Sequence, residues 1–312
     1  SFGLISKGGT LSLGSFGFNR TYFADKMIVG KTVRRFVYDE IASLIYFYSY
    51  DGEDSFIKGL DTTRFIEQLK QKVNGQLTAL NVFSHDTNEL LCYSVKHSES
   101  QSELHVLTMK SKMTPTYHSY LSSSPSLYWT TGRSGSGGYG SLSDGNPLSS
   151  IALSPFTEMI NFDREITAIK YLSVFSKVSC ILISEGKNLH AFELPSSVNP
   201  TKFLNSIGTF SCRNMITCLS ITKEGLVFCA DSRDGIFALT LNQEEGRFDV
   251  ICIYSKLRLI SDILIIDNNE LPLIQLIAAS KNGTIQILNF NGTSFQLIAS
   301  GLLNEIPIRI HI

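Results

Sequence analysis

Ile216-Thr217-Cys218-Leu219-Ser220-Ile221 is an apolar-rich run that stops at Thr222-Lys223-Glu224-Gly225. Leu226-Val227-Phe228-Cys229-Ala230 resumes it, Asp231-Ser232-Arg233-Asp234-Gly235 breaks it, and Ile236-Phe237-Ala238-Leu239-Thr240-Leu241 resumes it again. These runs are too short for helices, and each break places a polar residue before glycine. Strands joined by tight hairpin turns produce that pattern, because glycine reaches positive φ without a steric penalty. The outline returns at Gln275-Leu276-Ile277-Ala278-Ala279-Ser280, Lys281-Asn282-Gly283 and Thr284-Ile285-Gln286-Ile287-Leu288. Gly235 and Gly283 each open a strand, and each follows an apolar strand that ends in alanine and a small polar residue. The interval between them suits one four-stranded propeller blade.

Strand-like runs extend in both directions. On the N-terminal side lie 11–13, 33–38, 41–48, 77–83, 90–95 and 104–109. Later ones are 166–172, 180–184, 189–194, 250–254 and 260–266. The fold expected is all-β: a single WD40-like β-propeller over 1–312, of about seven four-stranded blades. One helix is expected within 61–74. Asp61 can cap it, Phe65, Ile66, Leu69 and Val73 share one helical face, and Gly75 can stop it. It reads as an insertion or a partner-binding element. The stretch Ser119–Ser150 is dense in serine and glycine and reads as a long flexible insertion loop.

Composition narrows the function classes. Apolar residues are 43% and charged residues 18% of 312, a globular balance. The formal net charge is −1, from 27 basic and 28 acidic residues, which argues against a broad nucleic-acid footprint. Nucleic acid is expected at most indirectly, with local basic spots allowed. No apolar stretch reaches the roughly 18 residues of a membrane span, and no leader pattern opens the chain. Cys92, Cys180, Cys212, Cys218, Cys229 and Cys252 mostly sit in strand-like runs and form no C-x-x-C pair. That is the habit of buried, reduced thiols in cytosol or nucleus.

No catalytic, cofactor or metal site is expected. Gly135-Ser136-Gly137-Gly138-Tyr139-Gly140 spells a dinucleotide motif, but Asp144-Gly145-Asn146-Pro147 soon after it cannot open the helix that such a site needs. The six histidines show no i, i+4 pair, and His105 and His190 read as structural residues in strands.

Two stretches resemble the family of the large damaged-DNA-binding protein. That family also contains the cleavage-and-polyadenylation specificity factor A subunit and the large propeller subunit of splicing factor 3b. One stretch is Leu11-Ser12-Leu13-Gly14 with Gly30-Lys31-Thr32-Val33-Arg34-Arg35-Phe36-Val37-Tyr38, where Val33 replaces the usual proline. The other is 216–290, with Asp231-Ser232-Arg233-Asp234-Gly235 and Asn282-Gly283 as turn motifs. The chain is similar to a divergent, fungal cullin-adaptor-like member. The resemblance implies one propeller excised from a larger multi-propeller protein, and a nuclear scaffold rather than an enzyme. The implied partners are a cullin or substrate receptor of a ubiquitin ligase in DNA repair or chromatin, or RNA-processing subunits. Gly30, Asp231, Gly235 and Gly283 are expected as structural turn residues. Arg34 and Arg35 are candidate partner contacts, because neighbours on a strand point to opposite faces and one side chain is then left for a neighbour. An ordinary surface arginine is the plain alternative.

Overall fold

A computed structural model describes residues 2–5, 10–17, 20–28, 32–39, 42–50, 54–61, 66–111, 151–174, 178–198, 203–266 and 273–302. All regular structure among them is strand. β1 (Phe2–Ile5), β2 (Thr10–Gly17) and β3 (Arg20–Ile28) form a three-stranded sheet. β4 (Thr32–Asp39), β5 (Leu44–Tyr50), β6 (Ser55–Asp61) and β7 (Glu67–Val73) form a four-stranded meander. β8 (Gln76–His85), β9 (Asn88–Ser98), β10 (Gln101–Ser111) and β11 (Ile151–Pro155) form the next, with β12 (Ile160–Phe162) also on β10.

β13 (Ile166–Val174), β14 (Val178–Glu185), β15 (Asn188–Glu193) and β16 (Asn205–Ser211) follow. After them come β17 (Ile216–Ile221), β18 (Val227–Asp231), β19 (Ile236–Asn242) and β20 (Arg247–Tyr254). One parallel pair, Thr209 with Arg247, links these two meanders between β16 and β20. β21 (Ile260–Ile266), β22 (Ile274–Ser280), β23 (Thr284–Phe290) and β24 (Phe295–Leu302) form the last sheet.

The order of packing is regular. β4 lies beside β8, β8 beside β13, β13 beside β17, and β17 beside β21, so the first strand of each meander meets the first strand of the next. Each neighbouring pair of meanders shares an apolar core, and the side-chain alternation of a strand feeds two cores at once. On β14, Ile181 and Ile183 enter the core shared with β8–β12, while Cys180 and Leu182 enter the core shared with β17–β20. On β18, Val227 and Cys229 face one core, and Phe228 and Ala230 face the next. On β9, Leu90 and Cys92 face one side, and Leu91, Tyr93 and Val95 the other. These strands read as unbroken apolar runs because neither face meets water. Each fully buried Leu, Ile or Phe adds roughly 1.5–3 kcal/mol.

The helix expected over 61–74 does not form among the described residues. β6 ends at Asp61 and β7 runs from Glu67 to Val73, antiparallel to it. Leu69 and Val73 are buried, Lys70 and Lys72 are exposed, and Ile66 is 51% exposed. Leu69 and Val73 are four apart, and that interval lies on one face under a period of 3.6 and under a period of 2 alike. The strand wins because it pairs with β6 and alternates Leu69-Gln71-Val73 inward. Asn74-Gly75 is the turn into β8, with Gly75 at φ 122. The insertion loop 119–150, with its glycine motif 135–140, lies outside the described residues, as does Phe65. Leu69→Ala should cost about 2–4 kcal/mol in urea unfolding. Ile66→Ala should stay within about 0.5 kcal/mol; equal losses at both positions would favour the helix.

All six cysteines are free, five are buried, and Cys252 is half-buried. Burial pushes the Cys180 thiol up to about 12, and Cys92 and Cys229 are also raised. A raised pKa leaves little thiolate near pH 8, and thiolate is the reactive form. Aromatic disulfide reagents should therefore label the native chain slowly and count six thiols once it is denatured; fast labelling of several thiols in the native chain would contradict this packing.

Candidate functional site

In a meander, the second-to-third-strand turns and the connections to the next sheet emerge at the same end. Hydrogen bonds knit these segments into a continuous rim. Gly186 donates to the Glu165 carbonyl at 3.2 Å, Cys212 to Lys187 at 2.9 Å, and Ile216 to Gly186 at 2.8 Å. Ser232 donates to the Met215 carbonyl at 2.9 Å, and Lys281 to Leu259 at 2.8 Å. The rim thus passes through 163–165, 185–188, 212–216, 231–235, 255–259 and 280–283.

Asp231 organises its middle. The side chain is fully buried, and Oδ1 accepts the backbone N–H groups of Arg233 (2.9 Å), Asp234 and Gly235 (3.3 Å). Asn214 Nδ2 donates to Oδ2 at 3.3 Å. One carboxylate so replaces the water that three amides would otherwise need. Gly235 closes the turn at φ 122, and a Cβ there would lie 2.0 Å from the Tyr254 carbonyl oxygen. Gly283 takes φ 88 at the matching turn, where Ser280 Oγ donates to the Arg258 carbonyl at 2.6 Å. Asp231, Gly235 and Gly283, expected as turn residues, lie in these two turns. Gly30 lies outside the described residues.

A repeat that the sequence did not announce runs along the first strands. Each carries a bulge against its second strand, at Arg35, Thr78, Thr167, Thr217 and Ser261. In four of them the extra residue bears a hydroxyl that reaches the second strand. Thr78 Oγ1 meets Ser94 Oγ at 2.6 Å, and Thr167 Oγ1 meets Ser184 Oγ at 2.7 Å. Thr217 Oγ1 donates to the Ala230 carbonyl at 3.3 Å, and Ser261 Oγ to that of Ala279 at 3.2 Å. The apolar-hydroxyl dipeptides Leu77-Thr78, Ile166-Thr167, Ile216-Thr217 and Ile260-Ser261 were the available signal. Arg35 holds the fifth register position, and Arg34 pairs with Tyr48 just before it. Their side chains lie outside the described residues.

A second feature is a cleft of about 560 Å³ between β7 and the β9–β11 surface. His97 Nε2 lies 2.9 Å and His105 Nε2 3.4 Å from the same oxygen, Glu103 Oε2. Tyr93 stacks on His105 with ring centroids 4.7 Å apart. Burial lowers the His105 pKa, and desolvation followed by the Glu103 charge pushes Tyr93 up to about 12. Both groups are therefore neutral near pH 7. His190 Nε2 contacts Glu185 Oε2 at 3.1 Å in the same structural manner. Among the described residues, no group of three or more His, Cys, Asp or Glu is arranged to hold a metal ion, and no helix is long and apolar enough to cross a membrane. The chain matches no family model and no curated protein.

Asp231→Ala should cost about 3 kcal/mol, because it strands buried N–H groups, and Gly235→Ala at least about 2 kcal/mol from backbone strain. Chemical denaturation measures both, and losses below about 0.5 kcal/mol would remove Asp231 as the organiser of the rim.

Proposed function

We propose that the chain is a single β-propeller serving as a non-catalytic scaffold for protein partners. More specifically, we propose an adaptor subunit of a cullin-type ubiquitin ligase acting on DNA repair or chromatin in the nucleus. The observation that carries the propeller is the order of the sheets: five successive meanders with first strands side by side and a shared core at every junction. The last sheet leaves a second apolar strip only half-buried, with Ile277 paired to Ile287 and Ile285 two residues along the same strand. A closed ring needs such a face, and the sheet β1–β3 is the segment available to cover it.

The scaffold reading is supported by the rigidity of stacked sheets and by a rim of turns held in place by buried hydrogen bonds. The ligase assignment rests on the resemblance carried by Leu11–Tyr38 and by 216–290. Affinity recovery from nuclear extract with quantitative mass spectrometry tests it. A cullin and substrate-receptor peptides are expected. Polyadenylation or splicing subunits instead would move the scaffold to RNA processing, and the absence of any stable partner would end the scaffold reading.

A further inference from the structure

The rim carries a charge pattern that the balanced composition hides. Lys187, Arg213, Arg233, Lys256, Arg258 and Lys281 are all exposed and lie on its five consecutive turns. Within 186–188, 212–215, 231–235, 255–259 and 280–283 the acids are Asp231, buried and committed to its turn, and Asp234, half-buried near Asn214 Nδ2 at 3.4 Å. The acids of the rim lie otherwise at its 163–165 side, where Asp163 is exposed, Glu165 is paired with Lys96, and Glu185 is buried and accepts from the Asp163 N–H. Among the described residues, none of these six cations forms a salt bridge. At the opposite end of the sheets, by contrast, Arg247 is paired with both Glu245 and Asp249.

Two apolar side chains stand among the cations. Met215 is 52% and Leu259 48% exposed. Leu259 sits at φ 54, a conformation that leucine adopts only under strain. The fold uses the Leu259 backbone, whose carbonyl accepts Lys281 N–H and Ser280 Oγ. Glycine would serve that backbone with less strain, so the leucine side chain is free for another task.

We infer that this rim docks an acidic segment of a partner protein that also carries apolar side chains. The cations supply attraction and orientation, and Met215 and Leu259 supply the desolvated anchors. The five turns carry no aromatic residue on which bases could stack, which disfavours single-stranded nucleic acid. The inference rests on the scaffold reading and names the partner chemistry of one surface.

The test uses the full chain and a fluorescent peptide in which Asp and Glu alternate with Leu, read by anisotropy beside single-stranded and duplex DNA. Binding should weaken as salt rises and fall at least about tenfold in Arg213→Glu/Arg258→Glu. Leu259→Gly should weaken binding about fivefold while leaving the melting temperature unchanged or higher. Absent peptide binding, binding indifferent to the charge reversal, or tighter binding to DNA than to peptide would each overturn the inference. Recovery of extract partners by the charge-reversed chain at unchanged yield would also overturn it and leave the scaffold reading intact. Failure of the unmodified chain to recover any partner would sink the scaffold reading itself.

Discussion

Burial of both faces of every interior sheet is the constraint on which the rest of this structure depends. A meander such as β17–β20 cannot leave either side in water, since Val227, Phe228, Cys229 and Ala230 are all fully buried along a single strand. It therefore needs a neighbour on each side, and each neighbour needs another. The result is an arc of sheets that stand or fall together. Small residues at the tightest places follow from the same demand. Gly208 lies where a Cβ would come 2.3 Å from Leu241 Cδ1, at the junction of β16 with β20. The buried thiols are ordinary members of these cores, small and apolar in character.

Stacking also explains the surface. Sheets that pack face to face bring to one end turns that are far apart in sequence. Those turns are braced by the buried Asp231 carboxylate and Ser280 hydroxyl, and by the bulge hydroxyls of buried Thr78 and half-buried Thr167, Thr217 and Ser261. A bulge at the same place in each first strand gives each sheet the same local kink. The rim is thus stiff where it meets the sheets and chemically variable at its tips. A scaffold benefits from that combination, because little ordering entropy is then lost on binding.

Much of the fold was legible from residues 216–290 because a strand buried on both faces leaves a continuous apolar run, and its turns need Gly225, Gly235 and Gly283. The segment 61–74 is ambiguous in sequence because Leu69 and Val73 satisfy two periods, and only pairing with β6 decides between them. The bulge repeat is hard to read in the sequence because its signal is two residues long and because 112–150 separates Thr78 from Thr167. Of the site, the Asp231–Gly235 and Gly283 turns were legible as turn chemistry. The rim's cations were not, since one or two come from each of five turns and only the stacking gathers them. The His97–Glu103–His105 cluster was equally hidden, its members brought together by the β9–β10 pairing.

Hydrogen exchange of the native chain, read by mass spectrometry, tests the central claim most directly. If every interior sheet depends on two neighbours, the amides of β9, β14 and β18 should exchange only through one shared global opening. They should then show the same free energy and the same denaturant dependence. Exchange of one of these strands through its own low-energy opening, with the others still protected, would contradict the account.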